Sequence, residues 1–158
     1  MITGLDHVVV LVRDIAAGVA AYETLFARAP SWRNIGDGAH RVLFTLDNMT
    51  LELMAPDGDG ATAERIRSVI AEQGEGLASL CFRTGDIVKM HRRLDRLMLK
   101  PEPVTDAESR DVTSGATLSW KRTRATEATR GVRLFFLELA GERPLSVRST
   151  VASITALD

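Results

Sequence analysis

The feature that most constrains the fold of this chain is a degenerate internal repeat. Leu5–Ile15 reads LDHVVVLVRDI, and Leu77–Ile87 reads LASLCFRTGDI. The two align without gaps at an offset of 72 residues (77 − 5), matching Leu5 with Leu77, Asp14 with Asp86 and Ile15 with Ile87. Further on, Leu51-Glu52-Leu53 matches Leu137-Glu138-Leu139 at an offset of 86 (137 − 51), which gives the second copy a 14-residue insertion (86 − 72). Identities are few. The repeat rests on the order of element types, because each copy reads strand, cap, helix and then strands.

Val8–Val12 is an apolar, β-branched run with strong strand propensity. Asp14 follows as an N-cap for the Ala-rich stretch IAAGVAAYETLFA, where Ile15, Val19, Tyr22, Leu25 and Phe26 form one stripe at helical spacing. Ala29-Pro30 ends that helix. In the second copy Asp86 caps IVKMHRRLDRLMLK, and Pro101 follows its end. Strands are expected near 32–35, 41–46 and 49–55, with Asp47-Asn48 as a two-residue hairpin turn, and again near 110–112, 117–123 and 132–139. A linking helix is expected over 62–72. Residues 1–57 thus read as a first βαβββ module, 58–75 as a linker with a short helix, 76–143 as a second βαβββ module, and 144–158 as a polar tail. Neither module can bury its sheet face alone. Paired, they give an α+β fold: one curved, mostly antiparallel sheet around a cleft, with a helix on the outer face of each half. The pairing can form within one chain or be swapped between two, so a homodimer stays open.

The balance of 45% hydrophobic and 26% charged residues is ordinary for a globular protein, and a net charge of −1 supplies no field to recruit nucleic acid or an anionic membrane. No apolar stretch has the length of a membrane span, and the opening residues lack the basic region of a signal peptide. Cys81 is the one cysteine, so no internal disulfide forms, and the expected location is the cytoplasm. The expected partner is a small molecule held in the cleft.

Strand periodicity assigns the faces. In the first strand Leu5, His7, Val9 and Leu11 share the cleft face, and Asp6, Val8, Val10 and Val12 the other. In the fourth, Leu51, Leu53 and Ala55 belong under the helix, which turns Glu52 into the cleft. The two-residue turn sets Leu43 opposite Glu52 and Thr45 opposite Thr50, so Arg41, Leu43 and Thr45 are expected on the same face. In the fifth strand Leu77, Ser79, Cys81 and Arg83 form the cleft side. In the last, Leu134, Phe136 and Glu138 are expected in the cleft, with Phe135, Leu137 and Leu139 under the second helix. Trp120 is either a pocket wall or hairpin packing. A carboxylate between leucines is costly to bury unless paired, protonated or bound to metal, and here that occurs twice, at Glu52 and Glu138. Glu52 can pair with Arg41 or Arg83, or act as a base if left unpaired.

These segments resemble the vicinal-oxygen-chelate superfamily of glyoxalases, bleomycin-resistance proteins and extradiol dioxygenases, and its glyoxalase-like branch in particular. GLDHVVVLVRDI is similar to the first strand of that fold, LDNMTLELMAP to the fourth, GEGLASLCFRTGDI to the start of the second module and RLFFLELAGERP to the last strand. The resemblance implies a metal site with one ligand from each of four strands: His7, Glu52, position 79 and Glu138. Position 79 is Ser79, a poor ligand for Zn, Ni, Mn or Fe. The implied cofactor is therefore one such divalent ion on His7, Glu52 and Glu138, or none. Two functions follow. In one, Glu52 and Glu138 are the catalytic groups of a metal-dependent or metal-free lyase or isomerase acting on a small oxygen-bearing substrate. In the other, the cleft sequesters a ligand without chemistry, as bleomycin-resistance proteins do. Arg41, Leu43, Thr45, Cys81, Arg83, Trp120 and Phe136 are the expected pocket residues in both.

Overall fold

The computed structural model describes residues 1–127 and 129–149. Eight strands alternate with three helices: β1 (Ile2–Leu11), α1 (Ile15–Phe26), β2 (Trp32–Gly36), β3 (Ala39–Thr45), β4 (Thr50–Pro56), α2 (Ala61–Gln73), β5 (Gly76–Thr84), α3 (Ile87–Arg96), β6 (Thr105–Arg110), β7 (Thr117–Ala125) and β8 (Arg133–Leu139). The strands form one sheet in the order β2-β3-β4-β1-β5-β8-β7-β6. β1 pairs parallel with β4, and β5 parallel with β8, while β1 and β5 join the two modules antiparallel at the centre. The sheet curls until its outermost strands meet. Trp32 Nε1 of β2 donates to Ser109 Oγ of β6 at 2.9 Å, and Val112 N donates to Arg33 O at 2.8 Å. Among the described residues no helix is long and apolar enough to cross a membrane.

Both acidic caps form. Asp14 accepts from Ala16 N at 2.8 Å and Ala17 N at 3.1 Å, and Asp86 accepts from Lys89 N at 2.8 Å. Ile15, Val19, Tyr22 and Phe26 of α1 pack on Val10, Val12, Phe44, Leu51 and Leu53 of the convex face, whereas Leu25 of the expected stripe stays exposed. α3 covers the convex face of the second module through Ile87, Met90 and Leu94. α2 forms over the expected linking segment. Its Ile66, Val69 and Ile70 lie on Val9, Leu11 and Ala39, so the linking helix roofs one end of the concave face. Gly38 makes that possible: its φ is +72°, and a Cβ there would stand 3.0 Å from Ala63 N.

Two expectations about strands need correction. β6 is Thr105–Arg110 rather than 110–112. Its sequence TDAESR carries no apolar alternation, because it lies near the sheet edge and only part of it is covered. The second correction is one of register. β8 sets Phe135 beside Cys81, as β4 sets Glu52 beside Val9, and Cys81 follows Val9 by the repeat offset of 72. The structural counterpart of Glu52 is thus Phe135, at an offset of 83 (135 − 52) rather than 86. A slip of three residues is odd, so it reverses every face in a strand of period two. Leu134 and Phe136 accordingly pack under α3, and Leu137 opposes Arg83.

Core and caps separate energetically. Leu53 is fully buried in the first module, and Leu53→Ala is expected to cost about 3 kcal/mol by lost burial plus cavity. Asp14→Ala removes a surface cap and is expected to cost about 1 kcal/mol. Urea titration of both variants checks the order. A larger loss for Asp14→Ala would contradict the packing described.

Candidate functional site

The centre of the concave face is built by a bulge. β1 pairs Leu5 with Phe82 and His7 with Cys81, which leaves Asp6 as an extra residue without a cross-strand partner. The bulge re-aims Asp6. Expected on the α1 side with Val8, its carboxylate instead lies beside the His7 ring, accepting from Nδ1 at 2.7 Å. Arg83 donates to the other oxygen through Nε at 3.0 Å and Nη2 at 2.8 Å. Arg143, from the segment after β8, donates to the oxygen that His7 uses. Across the floor, His7 Nε2 stands 3.3 Å from Glu52 Oε2, and Arg41 Nε stands 3.8 Å from Glu52 Oε1.

These contacts set the charge states. Burial works against an ionised Asp6, but the His7 hydrogen bond, Arg143 and Arg83 outweigh it and hold the carboxyl well below the usual carboxylate range. Burial also works against a protonated His7. The Cys81 sulfur, the Asp6 hydrogen bond and Glu52 overcome it, and the imidazole pKa is raised to about 10. At neutral pH His7 is therefore an imidazolium held between two carboxylates, a proton donor rather than a base.

The structure brings together His7, Glu52, Arg41 and Cys81, with Cys81 buried directly opposite His7. Leu43 opposes Glu52, and Thr45 opposes Thr50, as the two-residue turn requires. Leu43 and Thr45 are buried, and Thr45 Oγ1 pairs with Ser31 at 2.9 Å. Ser79 is buried opposite Val9, next along the strand from the cluster. Arg83 serves Asp6 rather than Glu52. Trp120 lies on the concave face, in step with Arg122 and Arg124 of β7. Two expected members are absent from the cluster. Phe136 belongs to the α3 core and stacks on Phe82 at 5.9 Å. Glu138 turns to the convex side, where its Oε2 accepts from Ile87 N at 2.8 Å at the first turn of α3. A carboxylate there meets the positive end of the helix and an otherwise free N–H.

Asp6 and Arg143 were missed from sequence. Asp6 carried a usable signal, since a carboxylate assigned to an apolar core face should itself cast doubt on regular pairing. Arg143 carried none, because its contact spans 137 positions of chain.

The four positions implied for a metal hold His7, Glu52, Ser79 and Phe135. This set does not fit a divalent ion. A serine and a phenylalanine supply no competent ligand, which leaves His7 and Glu52 as the two donors of the set. Among the described residues no three His, Cys, Asp or Glu side chains are grouped to hold a metal.

A curled sheet of two βαβββ modules, with its polar centre on the strands at the module junction, defines the vicinal-oxygen-chelate superfamily. Within it the chain belongs to the glyoxalase-like domain family, whose model matches residues 5–158. No curated protein matches the chain. Among solved structures it is similar to methylmalonyl-CoA epimerase from Mycobacterium tuberculosis, at 23% identity and a TM-score of 0.72 over 89% of this chain and 90% of that one. It is also similar to Streptomyces coelicolor methylmalonyl-CoA epimerase in complex with 2-nitronate-propionyl-CoA, at 17% identity and a TM-score of 0.70 over 89% and 100% of the two chains. A methylmalonyl-CoA epimerase in complex with methylmalonyl-CoA and NH4+ gives 18% identity and a TM-score of 0.69 over 91% and 100%. At such identities the likeness establishes the fold.

Two outcomes test this site. A histidine pKa raised from 6.5 to about 10 gives stability that is complete below pH 6.5 and lost as pH rises through about 10. The parent should therefore lose stability over that window by more than His7→Gln does, as read by urea titration across the range. Equal slopes would mean that His7 is not held charged. For metal, the double variant Ser79→His/Phe135→Glu supplies the missing donors, and its Tm should rise on addition of Zn, Ni or Mn while that of the parent does not. An unchanged double variant would show that positions 79 and 135 do not face the centre.

Proposed function

We propose that this protein is an isomerase-type enzyme working by acid–base chemistry on a small oxygen-bearing substrate, without a metal. The observation that supports this reading most directly is the contact between Glu52 and the His7 imidazolium on the concave floor, 3.3 Å apart. Glu52 is the one carboxylate of the cluster without a close hydrogen bond from an arginine. Asp6 takes close hydrogen bonds from Arg83 and Arg143, whereas Arg41 stands 3.8 Å from Glu52. Glu52 is thus the carboxylate less tightly held by guanidinium groups, and the one placed to take a proton from carbon beside a carbonyl. His7 and Arg41 stand ready to donate to the oxygen on which negative charge develops, in a site where burial strengthens such donation. Return of the same proton from Glu52 to the neighbouring carbon of the enediolate, on the same face, completes an isomerisation. Asp6 fixes the imidazole ring through Nδ1 and so aims Nε2 at the substrate side.

One observation favours a second reading, sequestration of a ligand without chemistry. Both oxygens of Glu52 already face cations, so its charge is met in the absence of substrate. The two readings separate in one experiment. Methylmalonyl-CoA, the ligand of a structural neighbour, serves as probe in D2O, with loss of its α-proton signal followed by NMR. Catalysed exchange that falls by about 100-fold or more in Glu52→Gln supports the enzyme, in line with the usual contribution of a positioned base. Binding of the probe by calorimetry without any exchange supports sequestration.

A further inference from the structure

The centre leaves positive charge over, since His7, Arg41, Arg83 and Arg143 meet only Asp6 and Glu52. The second module adds to the excess. Arg124 opposes Phe135, which opposes Cys81, and Arg122 opposes Leu137, which opposes Arg83. Arg133 opposes Ser79. Opposed residues share a face, so all three arginines stand on the concave side. Among the described residues the Arg124 side chain pairs with Glu102, while the side chains of Arg122 and Arg133 have no hydrogen-bond or ion-pair partner. The acidic residues of β6 offer no compensation. Asp106 and Glu108 oppose Lys121 and Ser119, on the other face. The whole chain carries −1, so this face is positive by segregation and not by composition.

Arg124 is held on this face at a cost. Its guanidinium donates to Glu102 and lies 5.7 Å over the Phe135 ring, and its Nε is buried without an acceptor. A surface arginine avoids that penalty by turning to water. Around it, Phe135 and Trp120 supply apolar surface on the same side.

We propose that Arg122, Arg124 and Arg133 form a subsite for the anionic group, a carboxylate or a phosphate, of a ligand whose apolar body lies on Phe135 and Trp120. Guanidinium forks match the planar or tetrahedral oxygens of either group. The orientation of the ligand rests on the reading of Glu52 given above, but the subsite does not. Arg133, Ser79, Val9 and Glu52 lie in one row across adjacent strands. Three strand spacings separate the ends of that row, about 14 Å along the curve and less across it. A ligand anchored on the arginines therefore presents to Glu52 a carbon several bonds from its charged end.

Calorimetry with three probes tests the subsite: 3-phenylpropionate, phenyl phosphate and the neutral 3-phenylpropanamide. At least one of the two anions should bind tenfold or more tightly than the amide, and the one that does identifies the preferred group. Raised salt should shrink the preference. Arg122→Gln/Arg133→Gln removes two side chains that hold no other part of the fold, and it should abolish the preference. Glu52→Gln should keep it, so loss of proton exchange in that variant leaves the subsite standing. The proposal is overturned if the amide binds as tightly as both anions, or if the arginine double variant retains the preference.

Discussion

The antiparallel pairing of β1 with β5 holds the rest of the structure in place, and its irregularity matters as much as its hydrogen bonds. A regular ladder would send Asp6 into the apolar layer beneath α1, among Val8, Val10 and Phe44. An ionised carboxylate cannot be stabilised there. The bulge between Leu5 and His7 resolves the conflict by turning Asp6 toward Arg83 and Arg143. The neighbouring histidine then acquires a fixed ring and a proton, and Glu52 acquires a charged neighbour. One extra residue in one strand thus arranges the electrostatics of the whole floor.

Much of the architecture could be read from the chain. The strand–cap–helix order places Asp14 and Asp86 where they cap α1 and α3, and the two-residue turn at Asp47-Asn48 sets Leu43 against Glu52. Glu52 is legible because the leucines around it have one place to go. Glu138 sits between leucines as well, and the same logic fails there. Two hydrophobic faces compete for β8: Phe136 is taken by α3, while Leu137 is buried against the concave side. When both faces of a strand are apolar, alternation no longer identifies which way it lies, and the shared Leu-Glu-Leu motif suggests a false register. The bulges at Asp6 and Ala78 are invisible for a different reason, since they are properties of pairing and not of either strand alone.

The concave centre also carries organising charge of its own. In a superfamily layout that implies a cation between strands, side-chain cations of the protein stand at the same centre. His7, Arg41, Arg83 and Arg143 gather there around Asp6 and Glu52. Guanidinium and imidazolium groups are fixed by side-chain packing and need no loading step. They also donate directional hydrogen bonds, whereas a metal ion attracts any oxygen within its coordination shell.

The segment after β8 adds a consequence for how the molecule is made. It runs back along the first module, where Ser146 N donates to Thr45 O and Ala29 N to Val147 O, and on the way it delivers Arg143 to Asp6. Asp6 and Arg143 lie 137 positions apart, an interval that a ribosome covers in on the order of ten seconds. Until β5 emerges, β1 lacks its central neighbour and Asp6 has no guanidinium opposite it; Arg83 arrives with β5, and Arg143 joins it only with the segment after β8. Vectorial synthesis therefore cannot complete the concave centre module by module. The floor is complete only when the returning segment arrives, because one of the two guanidinium partners of Asp6 comes with it.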